Sequence, residues 1–196
     1  LYDNACLLEC YCEAYSITKD KIFLETSKKT ADWIINEMQS SEGGFFSSID
    51  ADSDTGEGQY YIWDKTEVEK NLNSDQHKFF SNYYVFNKKD NFENKYHFYV
   101  SYNSKEYFKS RKKNFNQNLL NESINILLKI RNERKKPFTD TKILTSWNAL
   151  AIKSLVDYYK VSKDMAYMNS AEKAINFIID KMIFEDGLNA TYKDGK

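Results

Sequence analysis

Apolar residues recur at three- and four-residue intervals over two stretches of the chain, and these two stretches are copies of one another. Shifting the sequence by 144 positions places residues 3–48 on residues 147–192 without a gap. Apolar residues fall on apolar partners, as at Leu8 and Ile152. Ten paired positions are identical: Asn4/Asn148, Ala5/Ala149, Tyr15/Tyr159, Lys19/Lys163, Asp20/Asp164, Lys29/Lys173, Ile34/Ile178, Ile35/Ile179, Met38/Met182 and Gly43/Gly187.

Each copy of this repeat predicts a helical hairpin. The first helix ends near Thr18 in one copy and near Ser162 in the other, and a Lys-Asp turn follows. The second helix is predicted over residues 21–39 and 165–183, and a glycine then ends each copy. One hairpin cannot bury its apolar face alone, so recurring hairpins predict a stack or a ring. We expect an all-α fold, a partial (α/α)6 toroid with short β-hairpin insertions; an open solenoid is the competing architecture.

The segment between the copies lacks a continuous helical period. Residues 43–63 carry two aromatic runs around an acidic loop, which predicts a strand, a loop and a strand. Short helices are predicted over residues 64–71 and 75–86, each opened by a capping aspartate, and one long helix over residues 111–134. A further strand is predicted at residues 96–100. Solenoid repeats are usually contiguous, so this excursion favours the ring.

Composition restricts the class of partner. The chain has 196 residues, which fits one domain, here an incomplete toroid over residues 1–196. Lysine and arginine number 28 and aspartate and glutamate 29, so the net charge is −1 and the broad positive field that duplex nucleic acid selects is absent. No window has the roughly 18 uninterrupted apolar residues that a membrane span requires. We therefore expect neither nucleic acid nor a membrane as partner. No cofactor is expected, and the sequence leaves the location unknown, with the cytoplasm favoured.

The ends of the sequence suggest a piece of a longer protein. The chain begins at Leu1 without an initiator methionine or the pattern of a signal peptide. We expect about half of a ring, with apolar helix faces left uncovered. Apolar patches beyond a few hundred Å² tend to associate, so we expect the purified chain to form oligomers.

Three cysteines, Cys6, Cys10 and Cys12, lie close together near the start of the chain. Their spacing is not that of a CxxC motif, and the two histidines, His77 and His97, are far away in sequence. No zinc or redox motif is therefore indicated. We expect the three thiols to be reduced core residues.

The acidic loop offers three interpretations. Asp50, Asp52, Asp54 and Glu57 lie within eight residues, close enough to share a cation or to shift one another's pKa. The spacing does not meet the glycine and glutamate requirements of an EF-hand, although calcium binding stays open. One carboxylate could instead serve acid/base chemistry on a carbohydrate. The third interpretation is a turn in which aspartates accept hydrogen bonds from backbone amides.

A second group of candidate residues lies at the predicted start of the second inner helix, within residues 140–150. Thr145 or Ser146 would cap this helix, and Trp147 and Asn148 would lie in its first turn. The repeat places Asp3 and Asn4 at the matching positions, so both inner helices could present polar groups to one end of the ring. Aromatic residues such as Trp63 and Trp147 could stack on a sugar; packing roles are the alternative for all of these positions.

Four segments carry a resemblance to a known family: LYDNA, GGFFSSIDADSDTGEGQYYIW, FNKKDNFENK and RNERKKPFTDTKILTSWNAL. They resemble the thioredoxin-domain-containing family of spermatogenesis-associated protein 20. The resemblance implies an (α/α)6 toroid related to six-hairpin glycosidases and N-acylglucosamine 2-epimerases, which in that family follows a thioredoxin-like domain that this chain lacks. Thr141 and Ala149 depart from the family pattern, where aspartate and glycine are expected.

Two functional hypotheses follow. In the first, the toroid binds or processes a carbohydrate as a possible glycosidase- or epimerase-like enzyme, with candidate catalytic residues Asp50, Asp52 and Asp140 and no metal. Its candidate substrate-binding residues are Asp3, Asn4, Trp63, Lys142, Trp147 and Asn148. In the second, the chain is a non-catalytic scaffold or partner-binding module that acts with a thioredoxin-like domain in redox handling.

Overall fold

A computed structural model describes residues 1–53, 56–84, 90–92, 94–100 and 116–195. The chain divides into two compact units: unit 1 is Leu1–Ile49 with Thr139–Lys196, and unit 2 is Asp50–Phe138. The described residues form helices and strands of two residues each, which confirms the all-α fold class. The assignment of residues 1–196 to one incomplete ring stays a prediction.

The helices of the described residues follow the apolar periodicity closely. They are α1 (Tyr2–Thr18), α2 (Lys21–Trp33), α3 (Lys65–Asn71), α4 (Ser74–Tyr83), α5 (Gln117–Glu133), α6 (Thr145–Ser162) and α7 (Met165–Met182). A π-helical turn, Ile34–Met38, continues α2. The α1–α2 and α6–α7 hairpins are the two copies of the repeat, as predicted. Of the long helix predicted over residues 111–134, residues 111–115 lie outside the described part.

The Lys-Asp turn ends one helix and begins the next in both copies. Lys19 and Lys163 have left-handed φ angles of 58° and 61°. Their backbone N–H groups donate to the carbonyls of the residues four positions earlier, which closes α1 and α6. Asp20 and Asp164 then cap α2 and α7, because each carboxylate accepts a hydrogen bond from the backbone N–H two residues later.

The predicted caps of the two short helices differ from those found. Asn73, not Asp75, caps α4: its side chain accepts from the N–H of Gln76, whose side chain accepts from the N–H of Asn73. This reciprocal pair satisfies two N–H groups at once, which a lone aspartate inside the first turn cannot do. Asp64 stands at the start of α3, but its side chain makes no capping hydrogen bond.

All strand pairs of the described residues are antiparallel. They are β1 (Ser48–Ile49) with β4 (Thr139–Asp140), β2 (Asp52–Ser53) with β3 (Gly56–Glu57), β5 (Ile143–Leu144) with β8 (Thr191–Tyr192), and β6 (Ile183–Phe184) with β7 (Gly187–Leu188). The described residues of 43–63 are non-helical as predicted, but their aromatic runs do not pair with each other. Phe45 bridges Gln39, and Trp63 bridges Tyr96. That bridge is all that the described residues form of the strand predicted at residues 96–100.

The core of unit 1 lies where the two hairpins meet. Helices α1 and α6 pack side by side and run in the same direction: Tyr2 contacts Trp147 near their starts, and Glu9 pairs with Lys153 one to two turns later. The buried apolar residues of this core are Leu1, Ala5, Leu8, Cys12, Ala31, Ile34, Met38, Phe45, Ala151, Leu155, Tyr158, Tyr167, Ala171 and Ala174. The two copies therefore bury one another, as the repeat implied.

Unit 2 has a separate core between its helices α3, α4 and α5. Its buried apolar residues are Trp63, Val68, Leu72, Phe80, Leu120 and Leu127. The ring of Phe98 packs near those of Trp63 and Phe80, with centroids 5.9 and 4.9 Å apart. Because α5 is the longest helix here, its apolar stripe supplies much of this core.

The three cysteines have different environments. Cys12 is buried, and burial raises the pKa of its thiol to about 11, so it is a neutral core residue as predicted. Cys6 and Cys10 are exposed, so the prediction of core thiols is wrong for both. They lie on sides of α1 that no described helix covers.

Candidate functional site

In the acidic loop, the structure places Asp50 in a turn. Its Oδ1 accepts a hydrogen bond from the backbone N–H of Asp52 at 3.1 Å, and its own N–H donates to the carbonyl of Phe138 at 2.8 Å. Asp52 begins the β2–β3 hairpin opposite Glu57. Asp54 lies outside the described residues. The turn-forming interpretation therefore describes Asp50.

Calcium binding has no structural support in the described part of this loop. Among the residues that the structure describes, no three His, Cys, Asp or Glu side chains converge in a way that could hold a metal ion. Asp50 and Asp52 are both exposed.

Asp140 is held in its ionised form by Lys142. The Lys142 ammonium lies 3.0 Å from Asp140 Oδ2, and the Lys142 backbone N–H donates to Oδ1 at 3.2 Å. The hydrogen bond from the Lys142 side chain is the main reason that the pKa of Asp140 is lowered. A general acid needs a raised pKa to carry a proton near neutral pH. Asp140 as placed suits an ion pair or a base better than a proton donor.

Asn148 is fully buried and fastens the backbone of Phe45. Its Oδ1 accepts from the Phe45 N–H at 2.7 Å, and its Nδ2 donates to the carbonyls of Phe45 at 2.9 Å and Leu144 at 3.0 Å. Both amide hydrogens are thus used inside the protein. The substrate-binding role stays a prediction, and this geometry opposes it, since the amide has no donor left for a ligand.

Helices α1 and α6 begin without side-chain caps. The residue preceding α6 is Leu144 and the one preceding α1 is Leu1, and neither helix start has a capping side chain. The prediction that Thr145 or Ser146 caps α6 is wrong. The Thr145 hydroxyl donates instead to the carbonyl of Asn189, because strand β8 lies beside β5 just before this helix.

At these same helix starts, the structure brings together several predicted residues. The rings of Tyr2 and Trp147 lie 4.8 Å apart with an interplanar angle of 50°. Tyr2 is 43% exposed and Trp147 is partly buried. Asp3 is exposed and Asn4 half-buried in the first turn of α1. Tyr2 was not among the predicted residues, although its position directly before Asp3, the first residue of the repeat, could have indicated it.

Trp63 does not lie at this place. It is 4% exposed in the core of unit 2, stacked near Phe98. The guanidinium of Arg134 covers its ring at 4.2 Å from the centroid. The prediction that Trp63 offers a surface for a sugar is opposed by this burial, because the ring contacts other side chains on its faces.

A polar cleft of about 780 Å³ in unit 2 was not predicted. Arg134 lines it, donating to both carboxylate oxygens of Glu67 at 2.9 Å and to the carbonyls of Tyr60 and Ile62. Lys95 lies 3.6 Å from Asp64 in the same cleft. These pairs join residues far apart in sequence, so no local spacing could have indicated them. Their charges are balanced within the protein, which leaves them less available to a ligand.

Comparison with known proteins gives partial matches. No protein-family model matches the chain. Uncharacterized protein B0495.5 of Caenorhabditis elegans is 28% identical over 208 residues, which cover 91% of this chain and 28% of that protein. Spermatogenesis-associated protein 20 of Rattus norvegicus is 36% identical, and that of Homo sapiens 32%, over 37% of this chain and 10% of each relative. The chain thus spans less than a third of the length of these relatives.

Among solved structures, the chain is similar to cellobiose 2-epimerase from Bacillus thermoamylovorans B4167, with 11% identity and a TM-score of 0.31. The aligned region covers 98% of this chain and 45% of the epimerase chain. A TM-score this low leaves the fold to be argued from the contacts described above. The sequence matches support the resemblance to spermatogenesis-associated protein 20 over part of the chain. The thioredoxin-like domain and carbohydrate processing stay predictions.

Proposed function

We propose that unit 1 binds a carbohydrate at the starts of helices α1 and α6. The observation that carries this proposal is the pair of Tyr2 and Trp147 rings, 4.8 Å apart and partly open to solvent. Sugar rings have apolar C–H faces that pack against aromatic rings, while their hydroxyl groups need polar partners. The planes of the two rings meet at an angle of 50°.

The polar partners come from the same helix starts. No side chain caps α1 or α6, and the first turn of α1 carries Asp3. The Asp3 carboxylate can accept hydrogen bonds from sugar hydroxyls, and the Asn4 amide can both accept and donate. This arrangement supports binding of a neutral, hydroxyl-rich ligand.

The proposal is tested by titrating the purified chain with glucose, N-acetylglucosamine and cellobiose, monitored by tryptophan fluorescence and calorimetry. Tyr2→Ala and Trp147→Ala should each weaken binding at least about tenfold, which corresponds to about 1.4 kcal/mol. Trp147→Phe should keep most of the affinity because it retains an aromatic face. Tyr61→Ala, which removes an exposed ring from unit 2, is the matched control and should bind as the parent does.

Two results would contradict carbohydrate binding at this place. One is the absence of a saturable response to all three sugars in the parent chain. The other is unchanged affinity in both Tyr2→Ala and Trp147→Ala, with melting curves showing that the variants are folded.

Processing of the bound sugar is a further step that needs a proton donor and a second carboxylate. Asp50, Asp52 and Asp140 are the candidates, and Asp140 fits only the role of a base or a charge partner because Lys142 lowers its pKa. Incubation with the sugars that bind, followed by product analysis, tests this step. If one of these carboxylates takes part in the reaction, Asp50→Asn, Asp52→Asn or Asp140→Asn should lower turnover and leave the affinity for the sugar unchanged.

The alternative function is a non-catalytic scaffold or partner-binding module that acts with a thioredoxin-like domain. The observation in its favour is the set of exposed apolar residues on and after α7: Ile175, Ile179, Ile183, Phe184 and Leu188. A chain that binds no sugar but binds a thioredoxin-like domain from the same family would support this alternative.

A further inference from the structure

Two arginines near the end of helix α5, Arg131 and Arg134, have very different partners. Arg134 donates to both carboxylate oxygens of Glu67 and to backbone carbonyls, so oxygen atoms of the protein already balance its charge. Arg131 is half-buried and donates from Nη2 to Oδ1 of Asn132 at 3.0 Å. No carboxylate of the described residues forms an ion pair with it. Arg131 therefore carries a charge that the described part of the chain does not balance.

The other contacts of Arg131 are with aromatic rings. Its guanidinium carbon lies 5.1 Å from the centroid of the Tyr60 ring and 5.8 Å from that of Tyr61. Such contacts are attractive, but a ring face supplies no acceptor oxygen. A guanidinium has five N–H donors, and Nε of Arg131 is buried without an acceptor among the described residues. Because Nε is itself enclosed, an acceptor from outside the chain would reach this guanidinium at its Nη groups.

Arg131 lines a cavity of about 320 Å³ that lies within unit 2. The interior of this cavity is apolar: Phe80 and Leu127 are 1% and 3% exposed, and the ring of Phe98 packs against that of Phe80. Leu128, which is 40% exposed, stands where the cavity meets solvent. No aspartate or glutamate is among the described residues that line it. The cavity thus combines apolar walls with the permanent positive charge of a guanidinium.

We propose that this cavity of unit 2 binds a small aromatic carboxylate, with its ring against Phe98 and Leu128 and its carboxylate on the Nη groups of Arg131. The fork of a guanidinium matches the two oxygens of a carboxylate. An aromatic ring packs well against aromatic walls, and Phe, Tyr or Trp side chains supply half of the described lining. The volume equals that of about ten water molecules, which suits one ring on a short linker. This site is independent of the carbohydrate proposed for unit 1.

A series of three ligands tests the chemistry of the site. The purified chain is titrated in a calorimeter with 3-phenylpropionate, with its neutral amide and with propionate. 3-Phenylpropionate should bind saturably. The amide should bind at least about tenfold more weakly, because it keeps the shape and loses the charge that faces the guanidinium. Propionate should give no measurable binding, because it has no ring to fill the apolar interior.

Variants of helix α5 test the location. Arg131→Gln should weaken binding of 3-phenylpropionate at least about tenfold, and Arg131→Lys should give an intermediate affinity, because it keeps the charge and loses the fork. Leu128→Glu places a negative charge at the opening and should abolish binding. Lys129→Gln is the matched control: it removes a positive charge from an exposed position of the same helix that does not line the cavity. This control should bind as the parent chain does.

Three results would overturn the proposal. The first is the absence of saturable binding of 3-phenylpropionate to the parent chain. The second is equal affinity for the carboxylate and its amide. The third is unchanged affinity in Arg131→Gln and Leu128→Glu, with melting curves showing that both are folded. If Arg131→Gln does not fold, Leu128→Glu alone decides the location, since an exposed position tolerates the change.

Discussion

The two copies of the repeat share ten identical residues, yet several of these have opposite environments. Asn148 is fully buried and holds the backbone of Phe45, whereas Asn4 is half-buried at the start of α1. Gly43 packs against α7, whereas Gly187 has open space around it. Equal sequence therefore does not mean equal contribution to stability. The position of the copy in the stack decides what each residue contacts.

The path of the chain after each hairpin explains the difference. After copy 1, residues 43–47 cross to copy 2, where Phe45 meets Asn148 and Ser47 donates to the carbonyl of Asp140. After copy 2, the matching segment returns to its own copy, since the Thr145 N–H donates to the carbonyl of Ala190. The first segment thus contacts the other copy, and the second contacts the helix pair from which it comes.

The largest effect is expected at the two glycines. Both have positive φ, 118° at Gly43 and 146° at Gly187, so alanine is strained at either position. A Cβ at Gly43 would also lie 2.6 Å from the carbonyl oxygen of Lys173, while at Gly187 it would meet nothing within 4 Å. Gly43→Ala should lower the free energy of unfolding by about 4 kcal/mol and Gly187→Ala by about 1.5 kcal/mol.

Chemical denaturation of both glycine variants measures this difference. The backbone strain is common to the two positions, so the difference isolates the close approach to α7. Equal losses would show that residues 43–47 do not hold the second copy as tightly as the structure implies.

The next effect is expected at the equivalent asparagines. Asn148→Ala leaves the buried N–H and carbonyl of Phe45 without their side-chain partner, which should lower the free energy of unfolding by about 3 kcal/mol. Asn4→Ala should cost less than about 1 kcal/mol, since Asn4 is only half-buried. Urea titrations of the two variants check this order. A larger loss of unfolding free energy in Asn4→Ala than in Asn148→Ala would contradict it.

A smaller effect is expected where the copies differ by one oxygen atom. Tyr167 in the second copy of the repeat donates to Asp32 in the first copy at 2.6 Å, and the residue equivalent to Tyr167 in the first copy is Phe23. Tyr167→Phe makes the two positions alike and removes the hydroxyl that donates to Asp32 and lies 3.5 Å from the Lys28 ammonium. The free energy of unfolding should therefore fall by about 1.5 kcal/mol. Asp32→Ala removes the acceptor from the other side. If the loss in the double variant is clearly smaller than the sum of the two single losses, the interaction between these side chains is the cause, and full additivity would argue against it.

The smallest effect concerns Asp140, which anchors residue Ser47 through its carbonyl group. Its pKa is lower in the folded chain than its usual value, so its carboxylate stabilises the fold above the usual pKa. This contribution is lost as the pH falls through the lowered folded value. Lys142→Met should raise the Asp140 pKa measured by NMR titration, and Lys193→Met should raise it less, because Lys193 acts at longer range. Equal changes of the Asp140 pKa in the two variants would show that the ion pair with Lys142 is not the main cause of the lowered pKa.

Much of the local structure could be predicted from the sequence because its causes are local. The apolar period placed α1, α2, α6 and α7, and the Lys-Asp turn marked where each hairpin bends. The left-handed lysine and the capping aspartate depend only on residues within four positions, so any copy of the pattern folds the same way. The same locality explains why Asp50 could be expected to form a turn.

The rest depended on contacts between distant segments. Glu67 and Arg134 are neighbours only in the folded unit 2, and Trp63 is covered by a guanidinium 71 positions away in the chain. Thr145 does not cap α6 because it is the first helical residue and its hydroxyl donates to the carbonyl of Asn189. A residue is buried when another part of the chain packs against it. The sequence around that residue does not show which part of the chain this will be. The sequence alone thus determined the hairpins and their repetition, and the tertiary structure decided which of two identical residues became core and which stayed at the surface.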